Sequence, residues 1–372
     1  MDNNNYCVIM AGGVGARFWP LSRTSKPKQF IDILGVGKSL IQLTIARFTQ
    51  ICPIENIYIV TNEIYYDLVK QQLPQLSDEQ IILEPMRRNT APCIAYANAK
   101  IKHRNPNANI VVAPSDHVIL NENSFIEHIK AAMQCTQANP WLLTLGIKPT
   151  RPDTGYGYIQ YDDKTTYAAE QRICKVKIFT EKPELELAKQ FLESGDFLWN
   201  AGIFVWKLPI IEQAFARFLP EVYELFEKCV PAIGTKNEKE AISKTYERCT
   251  SISIDYGVME KADNVHVLAS DFGWSDLGTW GSLFEHLKHD ENNNAINSPN
   301  DVFTYNAKNC IVNTPKGKVV VIQGLEDYIV SESENTLLIC KKAMNNKFAN
   351  LLMMFNFKKV IDIFNKILYV KK

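Results

Sequence analysis

The first 150 residues alternate between two apolar patterns, and no other feature limits the fold as strongly. Five short runs are continuously apolar, as strands buried on both faces are: YCVIMA (6–11), NIYIVT (56–61), QIILEP (80–85), NIVVAP (109–114) and WLLTLGI (141–147). Between them SLIQLTIARFTQI (39–51), TAPCIAYANAKIKH (90–103) and SFIEHIKAAMQ (124–134) carry apolar residues at helical spacing. Ser39, Thr90 and Ser124 are the expected N-caps. Strand and helix in alternation predict an α/β fold, a mainly parallel sheet with helices on both faces. Ligands of such a sheet sit at the carboxyl ends of its strands.

Beyond residue 150 the pattern changes. GYGYIQY and CKVKIFTEKP read as strands, and ELELAKQFLESG as a helix stopped by Gly195. After HLKHDENNNAINSPND only short β-type runs remain: NCIVN, GKVVVIQGL, EDYIVSES and TLLICKK. The expected division is a main domain over 1–290, a small β-rich domain over 291–342, and a tail over 343–372 with rough helical spacing.

Charge narrows the partners. Lys plus Arg equals Asp plus Glu, 41 against 41, so no global basic field for nucleic acid exists and any anion site must be local. Nine cysteines are dispersed without a C-x-x-C pair, which predicts free thiols in a reducing cytoplasm. MDNNNYCVIM has no basic n-region, and no apolar run approaches the about 20 residues of a membrane span, so neither a secretory leader nor a membrane association is expected.

The local anion site is the loop after the first strand, AGGVGARFWPLSRTSKPKQF. It places Gly12, Gly13 and Gly15 ahead of Arg17, Arg23, Lys26 and Lys28. Glycines after a strand let backbone N–H groups approach phosphates, and Arg17 and Lys28 add the charge that a triphosphate calls for. Two familiar nucleotide motifs fail here. The G-x-G-x-x-G pattern has Phe18 at its third position, and DILGVGKS has Asp32 where a P-loop requires glycine.

The extended loop, with EPMRRNTAP (84–92), APSDH (113–117), GYGYI (155–159), FTEKP (179–183), WNAGIF (199–204), SIDYGVMEK (253–261) and FGWSDLGTW (272–280), resembles the sugar-nucleotide pyrophosphorylases. In this order the segments resemble the bacterial mannose-1-phosphate guanylyltransferases, over roughly residues 6 to 340. The resemblance implies a Rossmann-like nucleotidyltransferase domain with a mixed, mainly parallel sheet, followed by a small left-handed β-helix-like domain. It implies a short form without the isomerase domain of the long members. The tail from Ala343 departs from the family.

The implied reaction joins GTP and α-D-mannose 1-phosphate to give GDP-mannose and pyrophosphate, with Mg²⁺ or another divalent cation. Catalytic roles fall to Arg17 on the outgoing pyrophosphate, Lys28 near the α-phosphate and Lys182 on the sugar phosphate. Asp116, at a strand's carboxyl end, and Asp276 would share the metal, and His117 would be structural. Gly12, Gly13 and Gly15 would approach the nucleotide. Guanine shows N–H donors on its pairing edge, so a carboxylate should face it; Glu84 is the candidate, with Arg88 and Asn89 close by. Gly157 would give backbone access to the sugar, Glu181 and Asn200 would bond its hydroxyls, and Asp255 is a further candidate. Trp199 and Trp274 would pack the walls. The resemblance also implies a cytoplasmic homodimer. Two alternatives stay open: transfer to another sugar 1-phosphate such as a manno-heptose, and a non-catalytic nucleotide-sugar-binding regulatory subunit.

Overall fold

The computed structural model describes residues 2–13, 16–167 and 170–344, with backbone only for Ala16 and 163–172. Gly15 and the tail from 345 lie outside the described residues, and with them the expected tail helix. The chain forms two compact units. One comprises Met1–Gly12 and Ile41–Asp276; the other comprises Gly13–Leu40 and Leu277–Lys372. The glycine-rich loop thus changes unit between Gly12 and Gly13.

The first unit is built on the predicted strands. β1 (Asn5–Met10), β2 (Ile57–Asn62), β3 (Ile81–Glu84) and β4 (Asn109–Pro114) lie in the order β3-β2-β1-β4, all parallel. A short β5 (Val118–Ile119) follows, then β6 (Leu142–Ile147), β7 (Gly157–Tyr167), β8 (Glu170–Glu181), β9 (Phe197–Lys207), β10 (Val265–Ser270) and β11 (Trp274–Ser275). The sheet is mixed, but less parallel than expected. β9 runs antiparallel between β4 and β6, and β7 and β8 are antiparallel as well. Beyond β4 only β6 and β10 are parallel neighbours. The physical reason is that β4 and β6, consecutive apolar runs, leave a gap that the equally apolar FLWNAGIFVWK fills later in the chain.

Helices cover both faces, as continuous apolar strands require. Tyr6 and Val8 of β1 pack with Ala91, Ile94 and Ile101 of α3 (Thr90–Arg104) in a core that extends through Trp206 and Tyr246. Cys7 and Ile9 are also fully buried, so by the strand's period of two they face the opposite layer. There Phe48 of α1 (Leu40–Phe48) meets Phe125 of α4 (Glu122–Ala138) edge to face at 5.7 Å. Each such buried side chain stabilises the fold by about 1.5–3 kcal/mol. Two expected caps are corrected. Asn89, not Thr90, caps α3, and Asn121, accepting from the Ser124 amide at 3.1 Å, caps α4. In each case the asparagine lies in the loop just ahead of the helix, and the hydroxyl residue lies inside its first turn. α5 (Leu185–Ser194) stops where expected, at Gly195 in the left-handed conformation (φ 77°). Further helices are α2 (Tyr66–Gln72), α6 (Leu208–Phe218), α7 (Pro220–Cys229) and α8 (Glu238–Arg248).

The second unit holds the β-rich end. β12 (Ala295–Asn297), β14 (Ile311–Asn313) and β16 (Tyr328–Ser333) form one parallel sheet, edged by antiparallel β17 (Thr336–Lys341). β13 (Val302–Tyr305) and β15 (Val320–Gln323), which alternate with them in sequence, form another. Side chains stack across the turns: Asn297 donates to Asn313 at 3.0 Å, and Ser298 bonds Thr314 at 2.8 Å. The P-loop motif that failed on sequence fails here too. Asp32 accepts the Val36 and Gly37 amides at 3.0 and 2.7 Å, so DILGVGKS is a self-bonded turn.

Candidate active site

In the first unit the chain leaves β1 toward β2 on one side and returns as β4 on the other. This reversal opens a crevice at the carboxyl ends of β1 and β4, where open α/β sheets bind ligands. The segments lining it are firmly held. Ala11 donates to Val60 O at 2.7 Å, Thr61 donates its hydroxyl to Ala11 O at 2.9 Å, and Ser115 donates to Met10 O at 3.0 Å. Gly12 and Asp116 therefore leave neighbouring strands side by side.

Asp116 and Asp276 are 160 positions apart in sequence, and a two-stranded ribbon brings them to one end of the fold. β5 and β11 pair antiparallel, with Ser275 opposite Val118. Continuing that register sets Asp276 opposite His117, beside Asp116. The Trp274 indole donates to His117 Nδ1 at 3.1 Å, and Tyr156 donates its phenolic hydrogen to Asp276 at 2.8 Å. His117 thus accepts a bond from the facing strand of the ribbon. Behind it Thr44 donates to Ser115 O at 3.2 Å, and Arg47 lies 3.1 Å from the Thr44 hydroxyl. Burial pulls the Arg47 guanidinium down to about 10.

The donor set suits a hard cation. Two carboxylates leave room for phosphate and water oxygens, which is how Mg²⁺ binds. Among the described residues no group of three or more His, Cys, Asp or Glu is placed to hold a metal, so no closed structural cage competes.

The four sugar candidates and Lys182 form one cluster. Gly157 opens β7 opposite Glu181 at the end of β8, and any side chain at Gly157 would overlap the Glu181 carboxylate. A larger residue there would have to push aside the end of the Glu181 side chain. Lys182, with φ 47°, ion-pairs with Glu181, while its backbone N–H donates to Tyr156 O at 3.2 Å. Asn200 sits where the register of β9 against β6 shifts, a bulge that includes Gly202 (φ 65°). Bulges re-aim side chains. Here the Asn200 carbonyl accepts from Gly202 N and Thr144 Oγ1, both at 3.0 Å, and its amide donates to Asp255 at 2.9 Å. Asp255 begins a π-helical turn, Asp255–Met259. Burial, then the Glu181 charge, pushes its carboxyl up to about 7.

The nucleotide candidates divide. Glu84 is buried at the end of β3; a Cβ on Gly12 would lie 3.4 Å from its Oε2. Burial pushes this carboxyl up to about 7. Arg88 lies nearby, but its guanidinium donates to the carbonyls of Tyr246 (2.9 Å) and Glu247 (3.4 Å), fastening the end of α8. Asn89 caps α3 with φ 69°, accepting from Thr90 N at 2.9 Å. A cleft of about 370 Å³, lined by Leu83, Pro85, Tyr96, Ile242 and Ser243 among others, opens between β3 and α8.

Gly13, Arg17 and Lys28 belong to the second unit. Gly13 O accepts from Gln29 Nε2 at 2.9 Å. Lys28 is buried, donating to Leu277 O at 3.2 Å. Arg17 is exposed on a short 3₁₀ turn. Arg23, counted in the basic loop, has a different employment. Its guanidinium bonds Ser333 O and Thr336 Oγ1, each at 3.1 Å, and pairs with Glu334 at 3.1 Å.

The sequence reading missed Tyr156, Thr144, Tyr246 and Arg47, which hold the named residues in place. Tyr156 lay in view inside GYGYI. Arg47 carried a signal too, as a lone charge in an apolar helical stretch. Nothing local marked Thr144 or Tyr246.

A family model described as nucleotidyl transferase matches residues 6–293. A mannose-1-phosphate guanylyltransferase of Escherichia coli is 34% identical over 350 residues, 93% of this chain and 74% of that protein. One of Salmonella montevideo is 37% identical over 339 residues, 89% of this chain and 70% of that protein. A crystal structure from Thermus thermophilus, described as a mannose-1-phosphate geranyltransferase, superposes with a TM-score of 0.82 at 26% identity, over 94% of this chain and 99% of its own.

Proposed function

Because this chain belongs to the nucleotidyl transferase family, we propose that it is a mannose-1-phosphate guanylyltransferase. It transfers GMP from GTP to α-D-mannose 1-phosphate and releases pyrophosphate. The relatives' identity over some nine-tenths of the chain supports this. The geometric observation that carries it is the placing of Asp116 and Asp276 at one end of the β5–β11 ribbon, at the mouth of the sheet's crevice.

A sugar-phosphate oxygen bonds to the α-phosphorus as the bond to the β-phosphate bridging oxygen breaks, and pyrophosphate carries away the electron pair. The nucleophile is already an anion, so no general base is needed. The residues must instead hold two mutually repelling anions in line. Lys182 exchanges Glu181 for the sugar phosphate. Glu181 and Asn200 bond the sugar hydroxyls beside the bare backbone of Gly157, with Asp255 fixing the Asn200 amide. Glu84 accepts from guanine, Gly12, Gly13 and Gly15 give the nucleotide close backbone approach, and Arg88 and Asn89 shape that pocket from behind. Arg17 and Lys28 take the charge of the triphosphate. Asp116 and Asp276 would hold a divalent cation, which we take to be Mg²⁺; when bound it neutralises phosphate charge.

We further assign functional limits at 290/291 and 342/343; the family match ending at 293 supports the first. We take the C-terminal coil to be left-handed, and the protein to be a cytoplasmic homodimer with no nucleic-acid partner. Among the described residues no helix is long and apolar enough to cross a membrane.

The test is pyrophosphate release across a grid of nucleoside triphosphates and sugar 1-phosphates with Mg²⁺. GTP with mannose 1-phosphate should give the highest kcat/KM. A manno-heptose 1-phosphate that outperforms mannose 1-phosphate would reassign the sugar, and no release with any pair would leave a binding protein.

A further inference from the structure

We infer that Tyr246 is a positioning residue for base selection: its hydroxyl tethers one oxygen of Glu84 while the other faces Gly12, and it turns to the Pro92 carbonyl when Glu84 takes up a proton. The inference rests on the reading of Glu84 as the acceptor for guanine.

Both residues are buried, with 6% of Glu84 and none of Tyr246 exposed. The Tyr246 oxygen lies 3.0 Å from Glu84 Oε1 and 3.3 Å from Pro92 O. A phenol has one hydrogen to donate, so it serves one of these acceptors at a time. With Glu84 ionised, the hydrogen goes to the carboxylate, and a charge-assisted bond is the stronger choice. With Glu84 protonated on that oxygen, the carboxyl donates to the phenol, and the phenol donates to Pro92. The phenol and the carboxyl oxygen it faces are satisfied in both arrangements, which leaves two well-defined states.

The tether is rigid. Tyr246 packs edge to face against Tyr96 of α3 (6.3 Å) and Phe226 of α7 (5.8 Å). Arg88 holds the Tyr246 carbonyl at 2.9 Å, and Asn62 of β2 donates to the Glu84 carbonyl at 3.1 Å. The charged and titratable groups around the carboxyl are few. Tyr246 lies on α8, Cys93 on α3, and Arg87 on the loop after β3, where it bonds the Tyr65 hydroxyl at 3.3 Å. Arg87 and the Tyr246 bond favour the ionised carboxyl; burial opposes it and prevails. The Cys93 thiol is itself pushed up by burial and is neutral beside it.

The two states differ in the base they suit. An ionised carboxylate accepts from the N1–H and N2–H₂ of guanine. A neutral carboxyl that gives its hydrogen to Tyr246 offers the base one weaker acceptor and no donor; it can still take the N6–H₂ of adenine but no longer serves both donors of guanine. Tyr246, by stabilising the ionised form, keeps the site selective for guanine near neutral pH.

The experiment is the ratio of kcat/KM for GTP and ATP from pH 5.5 to 8.5, in the wild type, Glu84→Gln and Tyr246→Phe, with mannose 1-phosphate saturating. In the wild type the ratio should fall at least tenfold from pH 8 to pH 6. In Tyr246→Phe the fall should begin at higher pH, with the KM for GTP up about tenfold at pH 7.5 and that for mannose 1-phosphate within twofold. A Tyr246→Phe enzyme with the wild-type ratio and the wild-type midpoint overturns the tether. Glu84→Gln with an unchanged ratio overturns the reading of Glu84 itself; a lost ratio there upholds it and leaves Tyr246 to be judged on its own variant. Should Tyr246→Phe fail to fold, 3-fluorotyrosine at position 246 keeps the shape and strengthens the donor. It should move the midpoint to lower pH, and an unmoved midpoint overturns the tether.

Discussion

The amide of Asn200 donates to Asp255 Oδ1 at 2.9 Å, joining a strand bulge to a π-helical turn. Asp255 is buried, and its carboxyl is pushed up to about 7, chiefly by burial. Below about pH 4 the carboxyl is neutral in both folded and unfolded chains, and costs nothing. From there to about pH 7 only the unfolded chain is ionised, so stability falls as pH rises; above pH 7 the cost is constant. Asp255→Asn should therefore stabilise the protein by an amount that grows between pH 4 and 7 and then levels, on the order of 4 kcal/mol. Urea denaturation at a series of pH values measures it, and a gain independent of pH would contradict the buried charge.

Asp116 precedes one strand of the ribbon, Asp276 follows the other, and both are only partly buried. Asp116→Asn and Asp276→Asn should each lower kcat by about 100-fold or more, the scale of losing one electrostatic contact to the transition state. The melting temperature should stay within a few degrees. A chelator should silence the wild type, and added Mg²⁺ should restore it. A variant with near-normal kcat would remove that residue from the metal site.

Lys182 is largely exposed; it pairs with its neighbour Glu181 and, by its backbone, bonds Tyr156. Lys182→Ala should raise the KM for mannose 1-phosphate about 10–100-fold, the worth of a charge-assisted hydrogen bond. The KM for GTP should change by less than threefold. Equal effects on both substrates in steady-state kinetics would move Lys182 to the triphosphate.

Arg23 holds the turn between β16 and β17 through Ser333, Glu334 and Thr336. Arg23→Ala should cost about 1–2 kcal/mol in urea denaturation. It should also speed amide exchange across 333–336. Unchanged exchange there would mean that the turn holds itself.

Most of the first unit could be read from the sequence because its strands are buried on both faces and leave continuous apolar runs. β9 was harder. WNAGIF was noticed as a motif, yet its role as the central antiparallel strand depends on partners about 50 to 100 residues upstream, which periodicity does not report. The candidate residues stood out where a glycine or a charge broke an apolar pattern, as at Gly157 and Lys182. Their supports were not, because a tyrosine such as Tyr246 looks like any core aromatic until its hydroxyl is seen beside Glu84. The basic loop was read as a single anion cradle; in fact Arg23 answers to a hairpin more than 300 positions away.

The insertion of β9 between β4 and β6 also bears on how the protein is made. Residues 1–150 supply β4 and β6 but nothing to join them, so each waits with an open edge while the ribosome is still at work. The sheet can close only once residue 207 has emerged, and until then those edges are templates for mispairing with other chains. Expression of an amino-terminal half should accordingly give inclusion bodies rather than a folded fragment.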